Sequence, residues 1–319
     1  MTEEKEYQEE AWPKGEIFEH VRYSRESEKN CLDLYIPHQD EKMPLLVLIH
    51  GGGFLYGDAK VRQAAFMYRY FRDRGYACAS VDYRLAQEAP FPGAVEDVKA
   101  AIRFLKAKAD CYGYDADRMA VWGESAGAYL CIMAGVTLDE DFHGVKFIGE
   151  EELEKPVNAD VDILVDFYGC SEFGNWEEQF RQQGMADLRW TEENPWLEQG
   201  LRENHAEAYA SVEEFWLRRE QKKWTEEEWN QVSPFYFIKK NLNRNSGKKI
   251  LIWHGDTDVT VPWYQSRELS EIMKKTVGED QVSFRLFRSL GHASDLFYSE
   301  EHLSEVKDFL DQELKNGRT

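Results

Sequence analysis

Gly123-Glu124-Ser125-Ala126-Gly127 constrains this chain more than any other stretch, because it joins the apolar run Met119-Ala120-Val121-Trp122 to a helix-compatible segment, Ala128 to Ala134. Gly-x-Ser-x-Gly between a strand and a helix is the nucleophile elbow, a turn so sharp that the serine backbone is strained and its hydroxyl is held outward. Glycines at the flanks keep Cβ atoms out of space that neighbouring chain must cross. Alone, five such residues also fit an ordinary glycine-rich turn. A second motif lies 75 residues upstream, where Leu45-Leu46-Val47-Leu48-Ile49 reads as a buried parallel strand running into His50-Gly51-Gly52-Gly53. Glycines there free backbone N–H groups to face a developing oxyanion. Two motifs in this order, each at the end of an apolar strand, argue against the ordinary turn.

A serine nucleophile needs a base and an orienting acid, and on such an elbow they follow in the order acid, then histidine. Lys249-Ile250-Leu251-Ile252-Trp253 reads as a strand ending in His254-Gly255-Asp256-Thr257-Asp258-Val259-Thr260-Val261-Pro262, which sets carboxylates just past a strand end. Val282 to Phe287 alternates as a further strand and leads into Ser289-Leu290-Gly291-His292. Ser125, Asp258 and His292 have the required order and spacing.

Together with Val81-Asp82-Tyr83-Arg84-Leu85, these stretches resemble the α/β-hydrolase carboxylesterases of the HGGG type, the hormone-sensitive-lipase-like esterases and related compact bacterial esterases, some of which deacylate plant polysaccharides. The resemblance covers most of residues 16–316. It implies the α/β-hydrolase fold, a mostly parallel central sheet covered by helices on both faces. It also implies Ser125 as nucleophile, Asp258 as acid, His292 as base, and an oxyanion hole made by N–H groups of Gly52, Gly53 and Ala126. The substrate implied is a small-molecule ester, with acylated sugars and phenolic esters among the options, and no cofactor or metal is called for. Two departures stand out. Only 49 residues precede His50, short for the N-terminal cap of the larger lipase-like members. The acid loop reads His-Gly-x-x-Asp-x-x-Val-Pro, as in compact esterases and acyl-peptidases, instead of Asp-Pro-Leu; by that match Asp258 is the acid and Asp256 a loop residue. The same loop form keeps an acylaminoacyl-peptidase or amidase as an alternative to a carboxylesterase of short-chain, aryl or sugar esters. A binding protein on a hydrolase fold is the other alternative, and the filled triad positions weigh against it.

Charge narrows the partners. With 60 acidic and 39 basic residues the net charge is −21, which repels phosphate backbones and anionic lipid, so neither nucleic acid nor membrane is an expected partner. Met1 to Tyr7 lacks the apolar stretch of a signal peptide and no run approaches the length of a membrane span, so a cytoplasmic location is expected. Five scattered cysteines without Cys-x-x-Cys spacing read as buried, reduced thiols.

Along the chain, Glu16 to Arg25 and Cys31 to Ile36 read as an antiparallel start, after which strands and helices alternate. Helices are expected from about Lys60 to Arg72, after Pro92 with Val95, Val98, Ile102 and Leu105 on one apolar face, and near the C-terminus with Leu303, Val306, Phe309, Leu310 and Leu314 on one side. Strands are expected over Tyr76 to Val81 and Val161 to Phe167. One domain, 1–319, accounts for the length. Within it Ser171 to Phe235 separates two core strands by 65 residues, well past the roughly 12–15 at which structureless connections become rare. Capping-box patterns at Ser211 to Glu214 and Thr225 to Glu228 make residues 171–235 a helical cap insertion. It holds six of the ten tryptophans, Trp176, Trp190, Trp196, Trp216, Trp224 and Trp229, and has 15 acidic against 7 basic residues between Ser171 and Asn230. Most of these indoles are expected to anchor the insertion, and one or two to line the pocket. Residues 1–14 read as an acidic arm.

The remaining candidates have plainer roles. His50 is expected to stiffen the oxyanion loop, His254 to close the acid loop, and His302 to lie at an exposed helix start. His254, Asp256, Asp258 and His292 could be grouped as metal ligands, but no His-Glu-x-x-His or comparable spacing supports it. Glu124 reads as a buried structural carboxylate, with Arg84 a candidate partner that the sequence does not decide.

Overall fold

The computed structural model describes residues 15–37, 41–185, 196–206, 209, 211–218 and 224–316. Eight strands form one sheet: β1 (Gly15–Arg22), β2 (Cys31–Pro37), β3 (Met43–Ile49), β4 (Ala77–Val81), β5 (Tyr114–Glu124), β6 (Ile163–Phe167), β7 (Lys249–Gly255) and β8 (Val282–Phe287). Their order is β1-β2-β4-β3-β5-β6-β7-β8. β1 and β2 pair antiparallel, as does β2 with β4, and every pairing from β4 to β8 is parallel. This is the α/β-hydrolase fold.

Parallel strands covered on both faces bury every residue, and β3 shows it directly. Leu45, Val47 and Ile49 join the core shared with the helices over Gly93–Tyr112 and Ala126–Val136, while Leu46 and Leu48 join the opposite core. The helices, in chain order, are α1 (Arg62–Arg72), α2 (Gly93–Tyr112), α3 (Ala126–Val136), α4 (Trp176–Gln182), α5 (Trp196–Glu203), α6 (Val212–Leu217), α7 (Glu226–Val232), α8 (Pro234–Lys240), α9 (Leu242–Asn245), α10 (Tyr264–Val277) and α11 (Glu300–Asp311). Met67 and Phe71 of α1 share one core with Leu303, Val306 and Leu310 of α11; Leu269 and Met273 of α10 belong to the other, with α2 and α3.

Helix α2 departs from the one-face pattern. Besides the expected apolar positions it buries Asp97, Lys99 and Arg103. Each is matched: Asp97 accepts from Arg84, Lys99 donates to Thr137 and Leu138, and Arg103 pairs with Asp139 and Glu150. Arg84 and residues 137–150 lie against this helix, so its buried charges are paired instead of solvated. Among the thiols Cys31, Cys78, Cys131 and Cys170 are buried, but Cys111, in the last turn of α2, is exposed, contrary to expectation.

Residues 171–235 carry α4 to α7 and the start of α8. Ser211 accepts from the Glu214 N–H, and Thr225 forms a reciprocal box with Glu228. Trp216 is the anchor: fully buried, it stacks on Phe54 at 3.9 Å between ring centres and meets Phe91, Tyr129 and Phe173 edge-on or tilted. The Phe91 N–H donates to the Trp216 carbonyl, and Arg218 donates to Ala86. Trp190, the arm 1–14 and the side chain of Trp196 lie outside the described residues. No helix among the described residues is long and apolar enough to cross a membrane.

Candidate active site

The site is assembled at the C-terminal ends of neighbouring parallel strands, the usual ligand position in open α/β sheets. Ser125 stands between β5 and α3 with φ 51° and ψ −119°, a positive φ that β-carbon sterics normally exclude. Its N–H donates to the Phe167 carbonyl at 2.9 Å, which fixes the turn to the next strand. A Cβ on Gly123 would collide with backbone of Gly127, and one on Gly127 with the carbonyls of Ile49 and His50. The elbow therefore needs glycine at both flanks because β3, β5 and α3 meet there.

His292 follows β8 and reaches both partners. Its Nε2 lies 2.9 Å from Ser125 Oγ and its Nδ1 lies 2.7 Å from Asp258 Oδ2. Asp258, past β7 and wholly buried, also accepts from the N–H groups of Thr260 and Val261, each at 2.8 Å, and faces His254 Nε2 at 3.2 Å. Burial by itself would raise its pKa; the His292 charge and the hydrogen bonds from His254 and His292 outweigh this and hold the carboxyl well below the usual carboxylate range. With Asp258 ionised, the Nδ1–H tautomer of His292 is favoured, and Nε2 is left to accept from the serine hydroxyl.

The loop expected to receive the oxyanion folds back after β3. Gly52 has φ 111° and Gly53 φ 60°, and the Gly52 carbonyl accepts from the N–H groups of Leu55 and Tyr56. His50 donates from Nδ1 to the Gly51 carbonyl at 2.7 Å, and Tyr83 stacks on its ring while donating to its carbonyl at 2.9 Å. These bonds stiffen the loop. Ala126 opens α3, so its N–H has no intrahelical acceptor and stays available.

Asp256 lies outside this chain of bonds, accepting instead from the Ser289 N–H at 2.6 Å. Glu268 faces Gln179 and Asp295 pairs with Arg62. His254 sits beneath the acid, its Nδ1 2.7 Å from Ser266 Oγ. His302 does lie in the first turn of α11, but half-buried against Trp253 and Phe287 instead of exposed. No group of three or more His, Cys, Asp or Glu among the described residues could hold a metal ion.

The candidate pairing of Glu124 with Arg84 is not formed. Arg84 is held by Asp97 at 2.8 Å, on the other side of the sheet end. Glu124 instead accepts from Tyr168 at 3.3 Å and from Tyr298, whose two hydroxyls also bond each other. Burial pushes the Glu124 carboxyl up to about 7, only partly offset by these phenols. Tyr168 also meets the His292 ring edge-on at 5.0 Å and lines the cavity at Ser125. Sequence reasoning passed over it, although its place directly after β6 matches the strand-end position shared by the other site residues.

Residues 32–273 match the BD-FAE family. The chain belongs to this family. Curated relatives of this BD-FAE chain include esterase LipC of Mycobacterium tuberculosis, 26% identical over 253 residues, which make up 79% of this chain and 53% of that protein. Mouse hormone-sensitive lipase is 36% identical over 111 residues, 34% of this chain and 14% of the lipase. The chain thus spans about half the length of such relatives, or less. Among solved structures, a truncated carbohydrate esterase from gut microbiota superposes with TM-score 0.70 at 24% identity, covering 93% of this chain and 95% of that one. A bifunctional GH43-CE protein of Bacteroides eggerthii gives 0.73 at 24% identity over 93% of this chain and 35% of its own. At these identities the likeness speaks for the BD-FAE chain's fold.

Proposed function

We propose that this protein is a serine carboxylesterase that hydrolyses short-chain, aryl or sugar acyl esters through Ser125, His292 and Asp258, on a single α/β-hydrolase domain with residues 171–235 as its cap insertion. The observation that carries the reading is the continuous bond chain from Ser125 Oγ through His292 to a buried, ionised Asp258, opening on a cavity of about 570 Å³. The esterase names of the relatives support it.

In acylation His292 Nε2 takes the Ser125 proton as Oγ bonds to the ester carbon, and Asp258 stabilises the imidazolium. The N–H groups of Gly52, Gly53 and Ala126 receive the oxyanion. His292 then gives the proton to the departing alkoxide as the carbon–oxygen bond breaks. Water, deprotonated by the same imidazole, attacks the acyl-enzyme and releases the acid, regenerating Ser125.

The test is Ser125→Ala assayed on 4-nitrophenyl acetate. Removing a nucleophile that acts as a unit with its base costs about 10⁶ in kcat, with the circular dichroism spectrum unchanged. A variant retaining a tenth of wild-type turnover contradicts the assignment. Matched ester and amide substrates, compared by kcat/KM, separate a carboxylesterase from an amidase.

A further inference from the structure

Two cavities of very different size meet at the nucleophile. The wide one, about 570 Å³, is bounded by Ser125, His292, Tyr56, Gln63, Tyr168 and Val259. The other, about 30 Å³, is bounded by Ser125, Ala126, Phe54, Phe173, Trp176 and Val212, and His292 is not among its described lining residues. In acylation the leaving oxygen must be the one protonated by His292, so it lies on the imidazole side of Ser125. The acyl chain departs from the same tetrahedral carbon in another direction, away from that imidazole.

We infer that the alcohol of the substrate occupies the wide cavity and the acyl chain the small one, so that the protein is selective for acetyl esters of bulky alcohols and excludes long or aromatic acyl groups. This rests on the esterase reading above and sharpens its substrate class. At about 30 Å³ against about 570 Å³, the small cavity is much the tighter of the two, which suits a short acyl chain and not a phenyl ring. Its walls cannot retreat easily. Phe54 is 3%, Phe173 4%, Trp176 6% and Val212 2% exposed, and Phe54 and Phe173 are both packed against the buried Trp216. Glu213 adds a buried carboxyl to the same wall, a poor neighbour for an anionic acyl chain. The insertion therefore sets acyl length: Phe173, Trp176 and Val212 all belong to it, whereas the wide cavity is lined from the sheet ends and from residues 51–63.

Two substrate series test this. The first varies the acyl group on one alcohol, 4-nitrophenol, through acetyl, propionyl, butyryl, succinyl and feruloyl; the second keeps acetyl and varies the alcohol from methanol to 4-nitrophenol to a monosaccharide. One methylene too many in an apolar pocket is worth roughly 10- to 200-fold. Acetyl is therefore expected to exceed butyryl by at least about 10-fold in kcat/KM, with succinyl and feruloyl esters inert and bulky acetates turned over no more slowly than methyl acetate. Val212→Ala should raise the butyryl-to-acetyl ratio by about 10-fold and leave the order of alcohols unchanged; Phe173→Leu serves the same purpose if the first variant does not fold. Butyryl or feruloyl esters cleaved as well as acetyl esters by wild type overturn the cavity assignment while leaving the esterase intact. So does a Val212→Ala ratio that stays put, or a change in the order of alcohols. If no ester is turned over, the esterase reading fails and this inference with it.

Discussion

Two regions beside Ser125 each bury a carboxylic acid, and they treat it in opposite ways. In the acid loop, Asp258 receives two backbone N–H groups and two imidazoles and is held ionised. Under the elbow, Glu124 is also buried but, among the described residues, receives phenol hydroxyls from Tyr168 and Tyr298, and it is pushed up to about 7. Burial alone would raise both. The donors decide: the imidazoles of His292 and His254 stabilise the carboxylate more than desolvation costs it, whereas two neutral hydroxyls do not. Proximity to the serine therefore does not by itself single out the acid of the proposed triad; the charge state its surroundings impose favours Asp258.

The sharpest way to break this contrast is to neutralise each acid in turn. Asp258→Asn should lose roughly 10⁴ in kcat, because an amide favours the wrong imidazole tautomer. Glu124→Gln and Asp256→Asn should cost far less, since neither residue touches His292. Steady-state kinetics on one acetate ester rank the three variants. A larger loss from Asp256→Asn or Glu124→Gln than from Asp258→Asn would move the acid.

A smaller effect concerns stability against pH, and the two acids pull in opposite senses. The folded Glu124 binds its proton more tightly than the unfolded chain, whose value is near 4.5, so its contribution is full below that value and is lost as pH rises to about 7. Asp258 works the other way: its contribution is present above the unfolded value of 3.8 and is lost as pH falls through the depressed folded value. Urea midpoints of wild type should thus decline between about pH 4.5 and 7. Glu124→Gln should flatten that decline without abolishing it, because buried Asp166 and Glu172 are also raised to about 7. An unchanged slope in the variant would remove Glu124 from the account.

The same two regions show what the sequence made legible. Elbow, oxyanion loop, acid loop and terminal histidine each occupy a few consecutive residues at a strand end, so their chemistry is written locally. All eight strands could be placed from short apolar or alternating runs. Partners across the fold were not legible in this way: Arg84, a candidate partner for Glu124, answers Asp97 thirteen residues on, and Tyr168 and Tyr298 carried no motif. The small cavity is the extreme case. Its walls come from residues 54, 125, 173, 176 and 212, and only packing brings Phe54 and Trp216 face to face. For the insertion, helix caps announced structure and a buried indole was foreseeable in kind, but which tryptophan reaches the pocket depends on the docking of α4.

The central claim is that Ser125 is a nucleophile activated through His292 by an ionised Asp258. Stoichiometric titration with an organophosphonate ester, read by intact-protein and peptide mass spectrometry, tests it most directly. One equivalent should abolish esterase activity and place the added mass on the peptide carrying Ser125, with labelling greatly slowed in Asp258→Asn. Absence of the adduct at Ser125, or full activity in the labelled protein, would contradict it.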